Sequence, residues 1–310
     1  WLSANDVDGE CGVITYTQWL NVEGKLEADL TVTKLEDDRF WVVASDTAQR
    51  HVETHMRRNF EGHHAFATDV TGGYAQINVQ GPRSRELMAA VTTQDMSNEA
   101  FPFRGAKEID LGFARVLCIR ITYLGELGYE LYVPAEQAVH VYDRLVSAGA
   151  SYNLKHAGLK ALSSLRMEKA YRDYGHDIDN TDTVLEAGLG FAVAMDKPGG
   201  FLGREAVLAQ KAAGPLRKRL VQVLINDPEP LMFHAEIVRR DDVEVGYIRA
   251  ASYGHSLGGA VGLAMIEADV PIDDAWIAGG SWSVQIANAI HPATVSLRPL
   301  FDPSNARIKA

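Results

Sequence analysis

The stretch from Tyr16 to Thr33 constrains the fold more than any other part of this chain. It runs Tyr-Thr-Gln-Trp-Leu, then Asn-Val-Glu-Gly-Lys, then Leu-Glu-Ala-Asp-Leu-Thr-Val-Thr. Two runs rich in β-branched and aromatic residues, joined by a turn containing Asn21 and Gly24, form the pattern of a β-hairpin. Side chains alternate faces along a strand, which puts Leu30 and Val32 on one side and Asp29, Thr31 and Thr33 on the other. A carboxylate on the polar row of a rigid hairpin is well held for aiming into a pocket. From spacing alone an exposed acid at a strand start also accounts for Asp29, and that is the commoner situation.

Around this hairpin the pattern gives strands over Val13 to Leu20, Leu26 to Leu35 and Phe40 to Ala44. Asp46 reads as the N-cap of a helix running to about Phe60. Two more strands follow, Ala65 to Val70 and Tyr74 to Val79. Gly81-Pro82 then opens a short helix, because proline suits the first helical turn. Phe113 to Tyr123 and Tyr129 to Val133 read as a second hairpin about the glycine-rich Leu124 to Gly128. Ala135 to Ala148 is amphipathic, with Val139, Tyr142, Leu145 and Val146 on one face, and another helix spans Gly158 to Tyr171. After a boundary near Lys211 to Arg219 the texture becomes strands and turns only. These are Leu220 to Ile225, Glu236 to Arg240, Val245 to Ala251, Gly259 to Ile266, Ser281 to Ala287 and Ala293 to Leu297, the pattern of a small antiparallel barrel.

A chain of 310 residues has room for two or three domains. With 41 acidic against 30 basic residues it carries a net charge of −11, which argues against a broad nucleic-acid face. No apolar run approaches the roughly 18 residues that span a bilayer. Cys11 and Cys118 lie far apart without a metal or redox spacing, which suits a reducing compartment.

Three motifs invite other chemistry. Gly254-His255-Ser256-Leu257-Gly258 matches a serine-hydrolase elbow, followed by Asp273 and His291 in the required order, but the elbow needs a strand before it and a helix after it. The flanking residues read instead as two barrel strands about a turn. His51 and His55 lie at helical i, i+4 spacing without a third ligand at a recognised distance, so a solvated helix face is the better reading. Arg217-Lys218-Arg219 reads as an exposed interdomain run, or as attraction for an anionic ligand tail.

Five blocks, taken in order, resemble one family. They are the hairpin itself, Val79-Gln80-Gly81-Pro82-Arg83-Ser84-Arg85, Tyr123-Leu124-Gly125-Glu126-Leu127-Gly128-Tyr129-Glu130-Leu131-Tyr132, Ser164-Leu165-Arg166-Met167-Glu168-Lys169-Ala170-Tyr171, and Leu185-Glu186-Ala187-Gly188-Leu189. Together they resemble the T-protein (aminomethyltransferase) of the glycine cleavage system over nearly the whole chain. The resemblance implies an α+β, three-lobed fold of antiparallel sheets with helices and a C-terminal β-barrel. The expected division is 1–213 for the tetrahydrofolate-binding region, with two interleaved lobes, and 214–310 for the barrel. Trp1 to Asp6 matches a family segment that normally follows an initial βα portion, so the fold is expected to be N-terminally incomplete.

The same resemblance implies a site. Asp29 is expected to face the reactive nitrogens of tetrahydrofolate as the catalytic carboxylate. Glu130 is expected to accept two hydrogen bonds in parallel from the donor-rich pterin edge, although a surface strand acid is its plain alternative. Arg166 sits among apolar residues and needs an acid or a wet cavity; the family places it in the folate cleft, and Glu168 or Glu186 would serve as a structural partner instead. Tyr16, Thr31, Tyr123 and Phe191 are expected to line the same pocket. Phe191 stands where many relatives carry tryptophan, Ser45 where asparagine is common, and Leu124 where threonine is usual. No metal is expected.

Finer features resemble the C-terminal halves of sarcosine and dimethylglycine dehydrogenases: Arg166 to Arg172, Phe201 to Ala206, Leu216 to Val221, and the ending Ser296 to Pro303. That likeness implies formation of 5,10-methylenetetrahydrofolate from a methylated-amine-derived one-carbon unit. FAD would then belong to an N-terminal flavin domain, fused or partnered, since no strand-anchored GxGxxG occurs here. A cytoplasmic or mitochondrial-matrix location, with neither nucleic acid nor membrane as partner, goes with this reading. The alternatives are a stand-alone aminomethyltransferase and a non-catalytic folate-binding regulatory module.

Overall fold

A computed structural model describes residues 1–310. Its strands are β1 (Val13–Leu20), β2 (Leu26–Glu36), β3 (Arg39–Ala44), β4 (Tyr74–Gln80), β5 (Ala106–Leu111), β6 (Ala114–Ile119), β7 (Gly128–Pro134), β8 (Lys218–Ile225), β9 (Ile237–Arg240), β10 (Val243–Gly254), β11 (Gly259–Glu267), β12 (Trp282–Ile286) and β13 (Ala289–Ser296). The helices are α1 (Gln49–Asn59), α2 (Ser84–Val91), α3 (Ala138–Gly149), α4 (Leu159–Glu168), α5 (Arg204–Ala212), α6 (Asp274–Ala278) and α7 (Ala306–Lys309). No helix is long and apolar enough to cross a membrane.

The chain divides into two compact units interleaved in sequence. One comprises Trp1–Asp6, Thr17–Asp29 and Gly158–Ser304; the other comprises Val7–Tyr16, Leu30–Ala157 and Asn305–Ala310. The first hairpin belongs to a three-stranded sheet of order β1-β2-β3, and its turn follows from its sequence. The Asn21 carboxamide oxygen accepts from the backbone N–H groups of Glu23 and Lys25 at 2.9 and 3.0 Å, and Gly24 takes a φ of +76°. Asparagine folds the chain onto its own side chain, and glycine enters the left-handed region without a steric penalty.

In the unit that holds Leu30–Ala157, a four-stranded sheet has the order β4-β7-β6-β5. One face of β7 supplies Tyr129, Leu131 and Val133, all fully buried in a core with Val79, Leu87, Met88, Val116, Val141 and Leu145. The period of two therefore places Glu130 and Tyr132 together on the other face. Helix α3 buries Val141, Leu145 and Gly149, while Val139 and Tyr142 are exposed. This is one phase away from the stripe expected from Val139 and Tyr142. Both stripes contain Leu145; the buried one packs Val141 and Leu145 into the core with β7, and Gly149 at its end lets the Leu154 side chain lie against the helix.

Two local expectations fail in this unit. Ala65 to Val70 is in no sheet, and Phe66 is 84% exposed. Here the Asp69 carboxylate turns the chain by accepting from Thr71 N at 2.9 Å and from Gln49 Nε2 at 2.6 Å. Asp46 does not cap α1: its side chain bonds Thr47 N locally, and a 3-10 turn over Asp46–Ala48 precedes the helix.

In the other unit, β10-β11-β8-β13-β12-β9 close into a barrel around Val221, Val223, Ile225, Val238, Ile248, Ala264, Ile266 and Val284. The six strands follow the hydrophobic pattern read from the sequence. Helix α4 lies against β10 and β11. It is tied there by Ser164 Oγ donating to Tyr253 O at 2.6 Å, and by Gln222 Nε2 donating to Met167 O at 2.6 Å. The helix stops at Glu168, short of the expected Tyr171. Tyr171 N bonds Arg166 O, Ala170 N bonds Met167 O, and Ala170 takes a φ of +53°. This is a Schellman cap with alanine where glycine is the common choice.

Candidate functional site

On β7, Glu130 pairs in register with Asn78 of β4 and with Ile119 of β6. Gly128, two residues earlier, is tightly seated, because a Cβ there would collide with the Gln80 side chain. Tyr132, two residues on, donates its hydroxyl to Glu130 Oε2 at 2.7 Å, and Gln76 Nε2 donates to that hydroxyl at 3.5 Å. The Trp41 ring meets Tyr132 edge-on at 5.5 Å and Tyr74 at 4.9 Å. The buried indole nitrogen of Trp41 has no hydrogen-bond partner. Burial pushes the Glu130 carboxyl above the usual range, while the Tyr132 and Gln76 hydrogen bonds pull the other way. No basic side chain pairs with it. Glu130 itself is half-buried; a partly desolvated carboxylate served only by neutral groups is costly to keep, and such perturbed acids concentrate at functional sites.

Asp29 lies in the half-buried row of β2, between the buried Ala28 and Leu30. Alternation holds as expected as far as Val32 and breaks at Thr33, which is buried. Gln18 Nε2 donates to Asp29 Oδ1 at 2.8 Å. Tyr174 belongs to the same unit. Desolvation first, then the charges of Glu27, Asp179 and Asp29, push its phenol up to about 12. That hydroxyl therefore stays a proton donor at neutral pH.

Arg166 sits on α4, 5% exposed, and grips Asp177 with two guanidinium nitrogens at 2.8 and 3.2 Å. It also donates to Tyr171 O at 2.8 Å. Its acid is Asp177, not Glu168 or Glu186. Glu168 instead accepts the backbone N–H groups of Ser256 and Leu257, and Glu186 faces Lys218 at 3.9 Å. A parallel buried pair, Arg249 with Asp182, braces the following residues at 2.5 and 3.1 Å.

Tyr16, Thr31 and Tyr123 are half-buried, and Phe191 in a 3-10 turn is 76% exposed. The structure thus gathers Glu130 with Tyr132, Gln76, Trp41 and Tyr74 in one unit, and Asp29 with Gln18 in the other. Gln76, Trp41, Tyr132 and Gln18 escape the sequence reading. For Tyr132 the signal was present, since it shares parity with Glu130 on one strand.

The serine-hydrolase motif is disposed of by geometry. Gly254 ends β10 and Gly259 begins β11, so Ser256 occupies a hairpin turn whose amides bind Glu168, with no helix after it. Of Arg217-Lys218-Arg219, Lys218 is engaged with Asp182 at 3.1 Å and Arg219 with Ile272 O at 3.2 Å, which leaves Arg217 exposed.

Residues 1–197 match the model of the GCVT N-terminal domain, and residues 218–302 match that of the glycine cleavage T-protein C-terminal barrel domain. The chain belongs to the glycine cleavage T-protein family. Its fold is the aminomethyltransferase fold, with a TM-score of 0.82 to the glycine cleavage system aminomethyltransferase T from Bartonella henselae. That match is 20% identical and covers 98% of this chain and 80% of the other. Among curated relatives, 4-methylaminobutanoate oxidase (formaldehyde-forming) from Paenarthrobacter nicotinovorans is 40% identical over 98% of this chain. Human mitochondrial sarcosine dehydrogenase is 33% identical over 100% of it. The chain spans 36% and 35% of the lengths of those two relatives, about a third of each.

Proposed function

We propose that this T-protein-family chain is the tetrahydrofolate-dependent half of an N-methyl amine oxidoreductase, passing a one-carbon unit to tetrahydrofolate to give 5,10-methylenetetrahydrofolate. Its relatives' names support the oxidoreductase side, and its own residues support the folate side. The observation that carries the reading is Glu130, a half-buried carboxylate that no basic side chain pairs with and that the Tyr132 hydroxyl supports. A reduced pterin presents an amino group and ring N–H groups side by side, and a carboxylate accepts such a pair with charge assistance. Tyr132, Trp41 and Tyr74 supply the aromatic walls that a flat heterocycle favours, and the unpartnered Trp41 indole offers one further donor.

When bound, tetrahydrofolate would supply two N–H groups, at N5 and N10, that condense with a formaldehyde-level carbon, each nitrogen losing its proton and the carbon's oxygen leaving as water. Asp29 stabilises the positive charge that develops there and takes up a proton, the electrostatic and general-base roles open to a held carboxylate. Glu130 binds and orients. In this reading Tyr16, Thr31, Tyr123 and Phe191 are further folate-contacting residues, and Arg166 holds the segment between Tyr171 and Asp177 in place. Flavin chemistry would lie on a fused or partner domain, and the compartment would be the cytoplasm or the mitochondrial matrix.

Isothermal titration of the 310-residue chain with tetrahydrofolate tests the reading. Saturable binding that Glu130→Ala weakens by about tenfold or more supports it, since a hydrogen bond to a charged group contributes about 1.5 to 3 kcal/mol. Absence of binding, or binding indifferent to Glu130, contradicts it.

A further inference from the structure

Gln18 belongs to β1 and is completely buried. Its carboxamide Nε2 donates to Asp29 Oδ1 at 2.8 Å, while its Oε1, also buried, has no partner. An ionised carboxylate offers only acceptors. The amide must therefore turn its NH2 towards Asp29, and its oxygen is left facing protein that provides no donor. A buried amide oxygen without a donor is unfavourable, so the pairing with Asp29 decides this orientation. The next residue explains why Gln18 cannot swing away: Trp19 is buried and its indole is anchored on Ser3 Oγ at 3.3 Å. On the other side, the hydroxyl of Thr17 accepts Asn5 N at 3.0 Å.

We propose that Gln18 is the positioning residue for Asp29. Its N–H fixes one oxygen of the carboxylate, so Asp29 presents a stationary acceptor to the group that loses its proton. This rests on the assignment of Asp29 to the transfer step. It goes beyond that assignment by adding a completely buried residue that acts through Asp29. A glutamine is suited to the task in a way that a basic residue is not. It orients the carboxylate with a neutral donor that adds no positive charge of its own, and negative charge is what the developing cation requires.

The test combines kinetics of the full chain with a spectroscopic reading of the free protein. Formaldehyde and tetrahydrofolate are the substrates, and the spontaneous condensation is subtracted. Gln18→Met keeps the shape and removes the donor. It is expected to lower kcat by about tenfold to a hundredfold, the scale on which misplacing a reacting group acts, with KM for tetrahydrofolate within about twofold. Asp29→Asn lowers kcat as well, and adding Gln18→Met to Asp29→Asn brings no further loss. In the ligand-free protein, the Gln18 side-chain amide proton resonances move upfield and exchange faster in Asp29→Asn than in the unsubstituted chain. This reading stands even if Gln18→Met folds poorly.

Wild-type kcat in Gln18→Met alongside a slow Asp29→Asn overturns the role of Gln18 and leaves that of Asp29 intact. Strictly multiplicative losses in the double variant, or amide resonances indifferent to residue 29, overturn it too. Wild-type kcat in Asp29→Asn overturns instead the reading on which the proposal rests.

Discussion

Tyr132 donates its hydroxyl to Glu130 across one step of the pleat, 2.7 Å from oxygen to oxygen, and this bond is the main support of a half-buried carboxylate with no cation beside it. Removing it in Tyr132→Phe leaves the charged form of Glu130 less well solvated and pushes the carboxyl further up. The expected loss of stability is about 1.5 to 3 kcal/mol at pH 8 and less at pH 4, where the acid is protonated anyway. Urea denaturation of the variant at the two pH values checks the difference.

Glu130→Gln is expected to act in the opposite direction on stability. Burial raises the folded-state value of this carboxyl above its ordinary 4.5. The folded chain therefore keeps a proton over a window in which the unfolded chain has lost it. The contribution to stability falls as pH rises through that window, from the ordinary value to the raised one, and is constant above it. A glutamine cannot ionise and escapes this loss. The variant should gain on the unsubstituted chain as pH goes from 4 to 8, while binding tetrahydrofolate more weakly. A gap between their melting temperatures that is constant with pH would contradict the assignment.

Arg166→Met should destabilise the chain by about 3 to 5 kcal/mol, because it strands the Asp177 carboxylate in a site with no exposed side-chain surface. Arg166→Met combined with Asp177→Leu should recover most of the loss. The pair is strongly non-additive on this account, and a double-mutant cycle by denaturant melts measures it directly.

Ala170→Gly should stabilise the chain by about 1 kcal/mol. Ala170 closes the α4 cap at a φ of +53°, and L-residues with a Cβ pay about 1 to 2 kcal/mol there. Glycine gives back part of that gain through its freedom in the unfolded chain. A melting temperature raised by a few degrees is the expected reading.

The parts of the molecule that were legible in the sequence are those where local chemistry decides. Asn21 and Gly24 dictate the first turn, and short strands separated by regular turn signals from β8 to β13 mark the barrel. The face of α3 was not legible, because Val139 and Tyr142 form as good an apolar stripe with Leu145 as Val141 and Gly149 do. Only the sheet beneath selects between them. Ala65 to Val70 has strand-like alternation but no neighbouring strand, so its pattern has nothing to pair with. Asp177 as the acid for Arg166 depends on a loop closing back over the helix end, which no periodicity encodes. Asp29 and Glu130 stood out through family blocks, whereas Gln18 and Tyr132, which support them from within the same blocks, have roles that only the side-chain geometry shows.

The most direct test of the account separates binding from transfer. Tetrahydrofolate affinity and the rate of 5,10-methylenetetrahydrofolate formation are measured side by side in Asp29→Ala and Glu130→Ala. The account predicts that Asp29→Ala keeps affinity within a few-fold while transfer slows by about a hundredfold or more, and that Glu130→Ala loses affinity first. Transfer at the wild-type rate in Asp29→Ala, or unchanged affinity in Glu130→Ala, would contradict it.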